Sequence, residues 1–341
     1  MRVLLDTTFL RRGPTGTGVY LERIVPALRD LGVEVVEAVN DRRGPPAGGG
    51  LGSVRNALRD RAWEEVELPR RARAAGADVI HHALPAASRR ARVPQVLTLH
   101  DLAFERRPAA FDPRFRAFAR RAHRAAARRA DAVIAISQTT ARDAAALWGL
   151  APRDIVVAQL GCGQEPPPRP DPPPAERHFL YVGDAEPRKN LPVLLSAHAR
   201  YRERGGRVPL VLAGSARARQ AGVTVEPLPT PQRLGRLYAQ ALALVHPALH
   251  EGFGLTPLEA MHAGVPVLAA RSPGVVETCG DAADWFDPYD PDGLATALAA
   301  LEGDPARRAD LSARGRRRAA GFSWERCARA HVEAYTVACS R

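Results

Sequence analysis

The chain has 341 residues, 45% of them hydrophobic, which is enough for two domains of ordinary size with a core each. Its net charge is +12, and the excess lies in residues 1–165, where 27 arginines face 18 acids, a balance that attracts anions. No apolar run approaches the ~20 residues needed to span a bilayer; Met1-Arg2-Val3-Leu4-Leu5-Asp6 meets charge too soon for a secretory core, and the scattered Cys162, Cys279, Cys327 and Cys339 argue against zinc or a disulfide framework, so a cytoplasmic protein is expected.

Short apolar runs alternate with amphipathic stretches along the whole chain. The first half reads as strands at Val3–Leu5, Val33–Ala38, Val79–His81, Val96–Leu99 and Ala132–Ile136, with helices near Tyr20–Leu31 and from Pro113 to Arg129. Arg43 to Gly52 is rich in Gly and Pro and reads as a surface loop. The helix from Pro113 carries seven arginines; Phe111, Phe115, Phe118 and Ala122 recur at helical spacing and read as core-facing. Its basic face is either simply solvated or drawn to anionic lipid. His81 and His82, with no third ligand apparent, read as loop or core residues.

Proline dominates residues 166–175, which predicts a stiff spacer between a domain at 1–165 and a second at 176–322, followed by a helix over 323–341 expected to pack back on the first. The second domain reads as strands at Phe179–Val182, Pro209–Ala213, Val223–Glu226, Leu242–His246 and Pro266–Ala269, with helices from Leu191, Pro231 and Pro257. This alternation predicts the α/β class: two doubly wound parallel sheets whose carboxyl ends face a shared cleft.

Two segments carry candidate chemistry. The first, Tyr181 to Leu191, runs from strand through loop into helix. Gly183 ends the strand, Arg188 and Lys189 bring two positive charges to the helix start, and Asn190 reads as its N-cap. Of 49 basic residues, Lys189 is the one lysine. A bias toward arginine explains the other 48, whereas a site that needs a compact ammonium explains the exception. The second segment, His250 to Met261, has the same layout. Gly252 and Gly254 let the backbone approach a ligand, and Thr256, Pro257 and Glu259 read as a capping box. Glu251 lies outside the helix with no local backbone donor. Asp290-Pro291-Asp292 imitates a metal-binding D-x-D string but precedes an alanine-rich helix, so a cap explains it.

The string EGFGLTPLEAM, with Glu251 and Glu259 separated by seven residues, resembles the E-x(7)-E signature of the retaining glycosyltransferases of family 4, which have the GT-B fold. VGDAEPRKN is similar to that family's phosphate loop, and TGTGVY to its N-terminal glycine loop. LTLHDL, AVIAISQ and FSWE also fall in family order, so the likeness runs from residue 2 to about 335. It implies that Glu259 binds the donor ribose and that Glu251 hydrogen-bonds the donor sugar. It further implies that the backbone of Phe253, Gly254, Leu255 and Thr256 faces sugar and diphosphate, that Arg188 and Lys189 hold the diphosphate beside Gly183 and Asn190, that Gly16 and Gly18 close over the phosphates, and that His100 approaches the sugar. Asp184 departs from the pattern, since many members carry arginine there.

The implied reaction moves a hexosyl group, with mannose from GDP-mannose as the favoured donor, to a glycan, lipid-linked or small-molecule acceptor. Fixed cations would stabilise the departing diphosphate, so no cofactor and no metal are expected. A GT-B epimerase or phosphorylase is the alternative within the fold. The absence of aromatic interleaving argues against a nucleic-acid partner, and the glycine spacing of the first loop against a dinucleotide dehydrogenase. Contact with the inner face of an anionic membrane is a further expectation from the basic first half.

Overall fold

Strands in this chain are short and mostly separated by helices, which favours parallel pairing through crossovers. In the computed structural model, which describes residues 1–12, 15–44, 50–163 and 177–341, they form two six-stranded sheets. The first contains β1 (Arg2–Asp6), β2 (Glu34–Ala38), β3 (Val79–His82), β4 (Gln95–Leu99), β5 (Ala132–Ala135) and β6 (Ile155–Val157) in the order β2-β1-β3-β4-β5-β6. The second contains β7 (His178–Val182), β8 (Leu210–Gly214), β9 (Val223–Pro227), β10 (Ala241–His246), β11 (Val267–Ala270) and β12 (Ala283–Phe286) in the order β12-β11-β10-β7-β8-β9. Every pairing in both sheets is parallel. The α/β expectation holds.

Two units result, Met1–Gly161 with Ser323–Arg341, and Cys162–Phe322. The Pro-rich spacer expected at 166–175 lies outside the described residues. In the first unit, the C-terminal helix Trp324–Cys339 is held by a buried polar network rather than by apolar contact alone. Tyr335 Oη lies 2.8 Å from His81 Nδ1 and His331 Nε2 lies 2.7 Å from Tyr20 Oη. Gly161 lies so close to Trp324 that a Cβ there would sit 2.5 Å from the indole. His81 and His82 are fully packed core residues at the end of β3.

The second sheet buries Phe179, Tyr181, Leu210, Leu212, Val245 and Leu268 against helices such as Leu191–Glu203 and Pro291–Gly303. Its strand order reverses between β7 and β10. Ligands of open parallel sheets bind at the carboxyl ends of the strands on either side of such a reversal.

Two expectations need correction. The stretch from Arg43 to Gly52 is not all loop, because a helix spans Gly50–Ala62. The helix Pro113–Ala127, capped by Asp112 through the Arg114 and Phe115 N–H groups, does not bury the expected aromatic stripe. Its buried positions are Ala119, Ala126 and Ala127, while Phe115 is 45% and Phe118 61% exposed. Alanine allows close helix approach, so the small residues take the inner face and the large rings are turned outward.

Candidate active site

The two segments singled out from sequence leave β7 and β10, the neighbours at which the second sheet reverses. Backbone pairing joins them, with Leu249 N–H donating to Arg188 C=O at 2.8 Å. The three charged side chains between them then converge. Lys189 Nζ lies 2.6 Å from Glu251 Oε1, and Arg188 Nη1 lies 3.3 Å from Oε2. These side chains are only 12–16% exposed. Arg188 Nε also pairs with Glu186 at 2.7 Å. Burial opposes ionisation of Glu251, but Lys189 and Arg188 outweigh it and hold its carboxyl down at about 2.

The helix carrying Glu259 starts differently from the expected capping box. It spans Leu255–His262, with Gly254 at the N-cap and no side-chain cap. Gly254 has φ +105°, a conformation that favours glycine, and turns the chain into the helix two residues earlier than a threonine cap at position 256 would. Thr256 is therefore inside the first turn, with its hydroxyl 3.3 Å from His246 Nδ1. Glu259 is 4% exposed and accepts a 2.8 Å hydrogen bond from Tyr238 Oη. Asn190 stands at the N-cap position of Leu191–Glu203 with φ +57°, yet its side chain does not cap; its Nδ2 donates to Pro288 C=O at 2.7 Å and anchors the loop from outside. Gly183 ends β7 with φ +154°, and Asp184, where the family often has arginine, accepts from Ser215 Oγ at 2.7 Å. Phe253 is buried, and its carbonyl accepts from Thr278 Oγ1 at 2.6 Å. Asp290 caps its helix through the N–H groups of Asp292 and Gly293, and Asp292 pairs with Arg200 and Arg204.

Sequence reasoning missed three residues here. His246, at the end of β10, is 3% exposed, and its Nε2 lies 3.7 Å from Glu251 Oε1 without a hydrogen-bond partner. Burial pushes its pKa down to about 4. The alternation of β10 reveals that His246 is a strand residue but not what lies beyond its ring. Tyr238, on the preceding helix, gives no motif signal at all. Gly274 would place a Cβ 2.3 Å from Glu251 C=O, so the loop bearing Glu251 rests directly on it.

The remaining candidates belong to the first unit. His100 follows β4, its Nε2 donates to Ala83 C=O at 3.0 Å, and its ring meets Tyr20 edge-on at 5.1 Å. Burial lowers its pKa, so the ring is neutral at physiological pH. Gly16 and Gly18 are not in a free loop but in the first turn of Gly16–Asp30, where Thr15 caps the N–H of Gly18 at 3.1 Å.

Two family descriptions match the chain in sequence, "Glycosyltransferase Family 4" over residues 14–162 and "Glycosyl transferases group 1" over residues 166–318. The O-antigen chain mannosyltransferase B of Escherichia coli is 32% identical over 210 residues, 54% of this chain and 54% of that protein. The D-inositol 3-phosphate glycosyltransferase of Rhodococcus opacus (strain B4) is 34% identical over 200 residues, 58% of this chain and 44% of the relative. The chain thus spans about half the length of the curated relatives it matches. Sucrose-phosphate synthase from Thermosynechococcus elongatus shares the fold with a TM-score of 0.74 at 19% identity, covering 98% of both chains.

Proposed function

Given that the chain belongs to the family 4 glycosyltransferases, with the GT-B fold, we propose that it transfers a hexosyl group from a nucleotide-diphosphate sugar to an acceptor hydroxyl with retention of anomeric configuration. The observation that carries this reading is the meeting of Lys189, Arg188 and Glu251 beside the helix start at Leu255. A diphosphate competes with Glu251 for the two cations, and the carboxylate it displaces becomes an acceptor for sugar hydroxyls. The bond between the anomeric carbon and the diphosphate oxygen breaks, and the acceptor oxygen attacks from the same face. Its proton passes to the departing phosphate. Arg188 and Lys189 stabilise the charge that grows on the diphosphate, so no metal is needed. Glu259 is the ribose ligand in this reading, and His100 faces the sugar, as the family resemblance implies.

Mannose is the proposed sugar, supported by the mannosyltransferase relative. Polysaccharide, lipid-linked and small-molecule acceptors all suit the scheme. Peripheral contact with an anionic membrane is also proposed, supported by Phe115 and Phe118, which stand exposed among the arginines of Pro113–Ala127. No helix among the described residues is long and apolar enough to cross a membrane.

The test is donor breakdown and transfer across UDP-, GDP- and dTDP-sugars in EDTA, with the product anomer read by NMR. GDP-mannose consumption with an α-linked product is expected. An inverted product, epimer formation from donor alone, or activity restored only by manganese would overturn the corresponding part.

A further inference from the structure

Beside the edge strand β2, wholly within the first unit, lies a cavity of about 330 Å³. That is the small end of the range of about 300–1,000 Å³ over which proteins hold small ligands. Arg42, Arg55, Arg59 and Arg71 all line it. Two carboxylates also line it: Asp41, which pairs with Arg11 at 2.7 Å, and Glu67, which lies 3.9 Å from Arg70, so the lining keeps an excess of positive charge. Among the described residues, no ion pair joins the four lining arginines to a carboxylate. Four like charges around one concavity repel each other, and an anion placed among them relieves that repulsion.

The walls are also fixed in advance. Arg71 Cζ lies 4.9 Å over the Trp63 ring, which holds the guanidinium plane while leaving its N–H edges open for an oxygen fork. Trp63 is 5% exposed and donates from Nε1 to Asp6 Oδ2 at 2.9 Å, at the end of β1. Next to the lining residues, Arg43 Nε pairs with Asp60 at 2.7 Å and Gly44 N–H donates to Asn56 Oδ1 at 3.1 Å, tying the segment after β2 to the helix Gly50–Ala62. Such preorganisation lowers the entropic cost of binding. A tetrahedral phosphate offers oxygens to several guanidinium forks at once, more than a planar carboxylate can.

We propose that this cavity is an anion subsite that receives a phosphate ester carried by the glycosyl acceptor. The acceptor role rests on the proposed transfer reaction; the anion site does not. Calorimetric titration of the full chain with glycerol 3-phosphate, decyl phosphate and glycerol tests it. Both phosphates are expected to bind and glycerol not; tighter binding of decyl phosphate would assign the phosphate to a lipid-linked acceptor, and equal binding to a small soluble one. Arg59→Gln/Arg71→Gln is expected to weaken phosphate-ester binding at least tenfold while leaving the affinity for GDP or UDP and the circular dichroism unchanged. Lys189→Ala is expected to have the opposite pattern. Absence of phosphate-ester binding, or its loss in Lys189→Ala but not in Arg59→Gln/Arg71→Gln, overturns the inference. Nucleoside diphosphate binding that ignores Lys189→Ala would instead overturn the donor-site reading and leave this one standing.

Discussion

Lys189 and Glu251 stand 62 positions apart in sequence and meet at 2.6 Å. The contact joins the loop after β7 to the loop after β10, and it draws on the chain's one lysine. A buried charge pair gives little net stability, because desolvation of both ions offsets their attraction, whereas removing one partner leaves the other uncompensated. In the proposed reaction the cation has a further role, which is to hold the donor diphosphate. Lys189→Ala is therefore expected to lower transfer by roughly a hundredfold or more, the scale on which single charge-stabilising donors act. Lys189→Arg is expected to fail as a rescue, because a planar fork does not reproduce a point charge. Steady-state kinetics on the folded variants checks both, and full activity in Lys189→Ala would remove the cation from the mechanism.

His246 supplies a donor that the pair lacks. If the Thr256 hydroxyl donates to Nδ1, the proton sits on Nε2, which lies 3.7 Å from Glu251 and is otherwise unpartnered. A buried polar atom without a partner is uncommon and calls for an explanation. In the proposed reaction, Nε2–H would hold the Glu251 carboxylate once Lys189 turns to the donor diphosphate. His246→Gln, which keeps a donor, should retain most activity. His246→Leu should lower kcat roughly tenfold with little change in KM, since it disturbs the orientation of Glu251 rather than donor binding. Equal kcat in the two variants would refute the positioning role.

The fold was legible because period and punctuation agreed: β7 and β10 are apolar runs ending at glycine-containing loops, and both loops carry the charged residues. The convergence of Lys189 on Glu251 was not legible from local pattern, because it depends on the reversal that makes β7 and β10 neighbours. The capping box at Thr256 misled for a local reason. The left-handed Gly254 starts the helix two residues early, and Tyr238 claims the carboxylate that a capping box would need. Phe115 and Phe118 misled because helical spacing identifies a stripe but not which side of the helix is inside.

Acid should loosen both units. Burial pushes His246 in the second unit and His331 in the first down to about 4, from an ordinary value of 6.5. The unfolded chain takes up these protons near pH 6.5 and the folded chain refuses them until about pH 4. Stability is thus complete above pH 6.5 and is lost as pH falls from 6.5 to 4, by roughly 3 kcal/mol for each histidine. Below about pH 4.5, protonation of Glu251 adds a further loss that runs to about pH 2. Differential scanning calorimetry should show Tm falling by roughly 10 °C between pH 6.5 and 4. His331→Gln keeps a hydrogen-bonding group for Tyr20 but does not titrate, so its pH slope should be shallower; an unchanged slope would take His331 out of the account.

The outward rings of Pro113–Ala127 make the membrane expectation specific. Phe115 and Phe118 are 45% and 61% exposed, and Arg114, Arg120 and Arg121 are exposed on the same helix. Aromatic rings enter the headgroup boundary of a bilayer, and arginines gain about 1 kcal/mol each near an anionic surface. The chain should sediment with vesicles containing phosphatidylglycerol and not with pure phosphatidylcholine, and salt should weaken the association because the charge contribution is screened. Phe115→Ser/Phe118→Ser should reduce binding roughly tenfold, and Arg114→Glu/Arg121→Glu by at least as much. Both pairs belong to the first unit and the Lys189–Glu251 pair to the second, so breakdown of a soluble donor should be unchanged in both. Vesicle binding that survives both double variants would locate the membrane contact elsewhere on the chain.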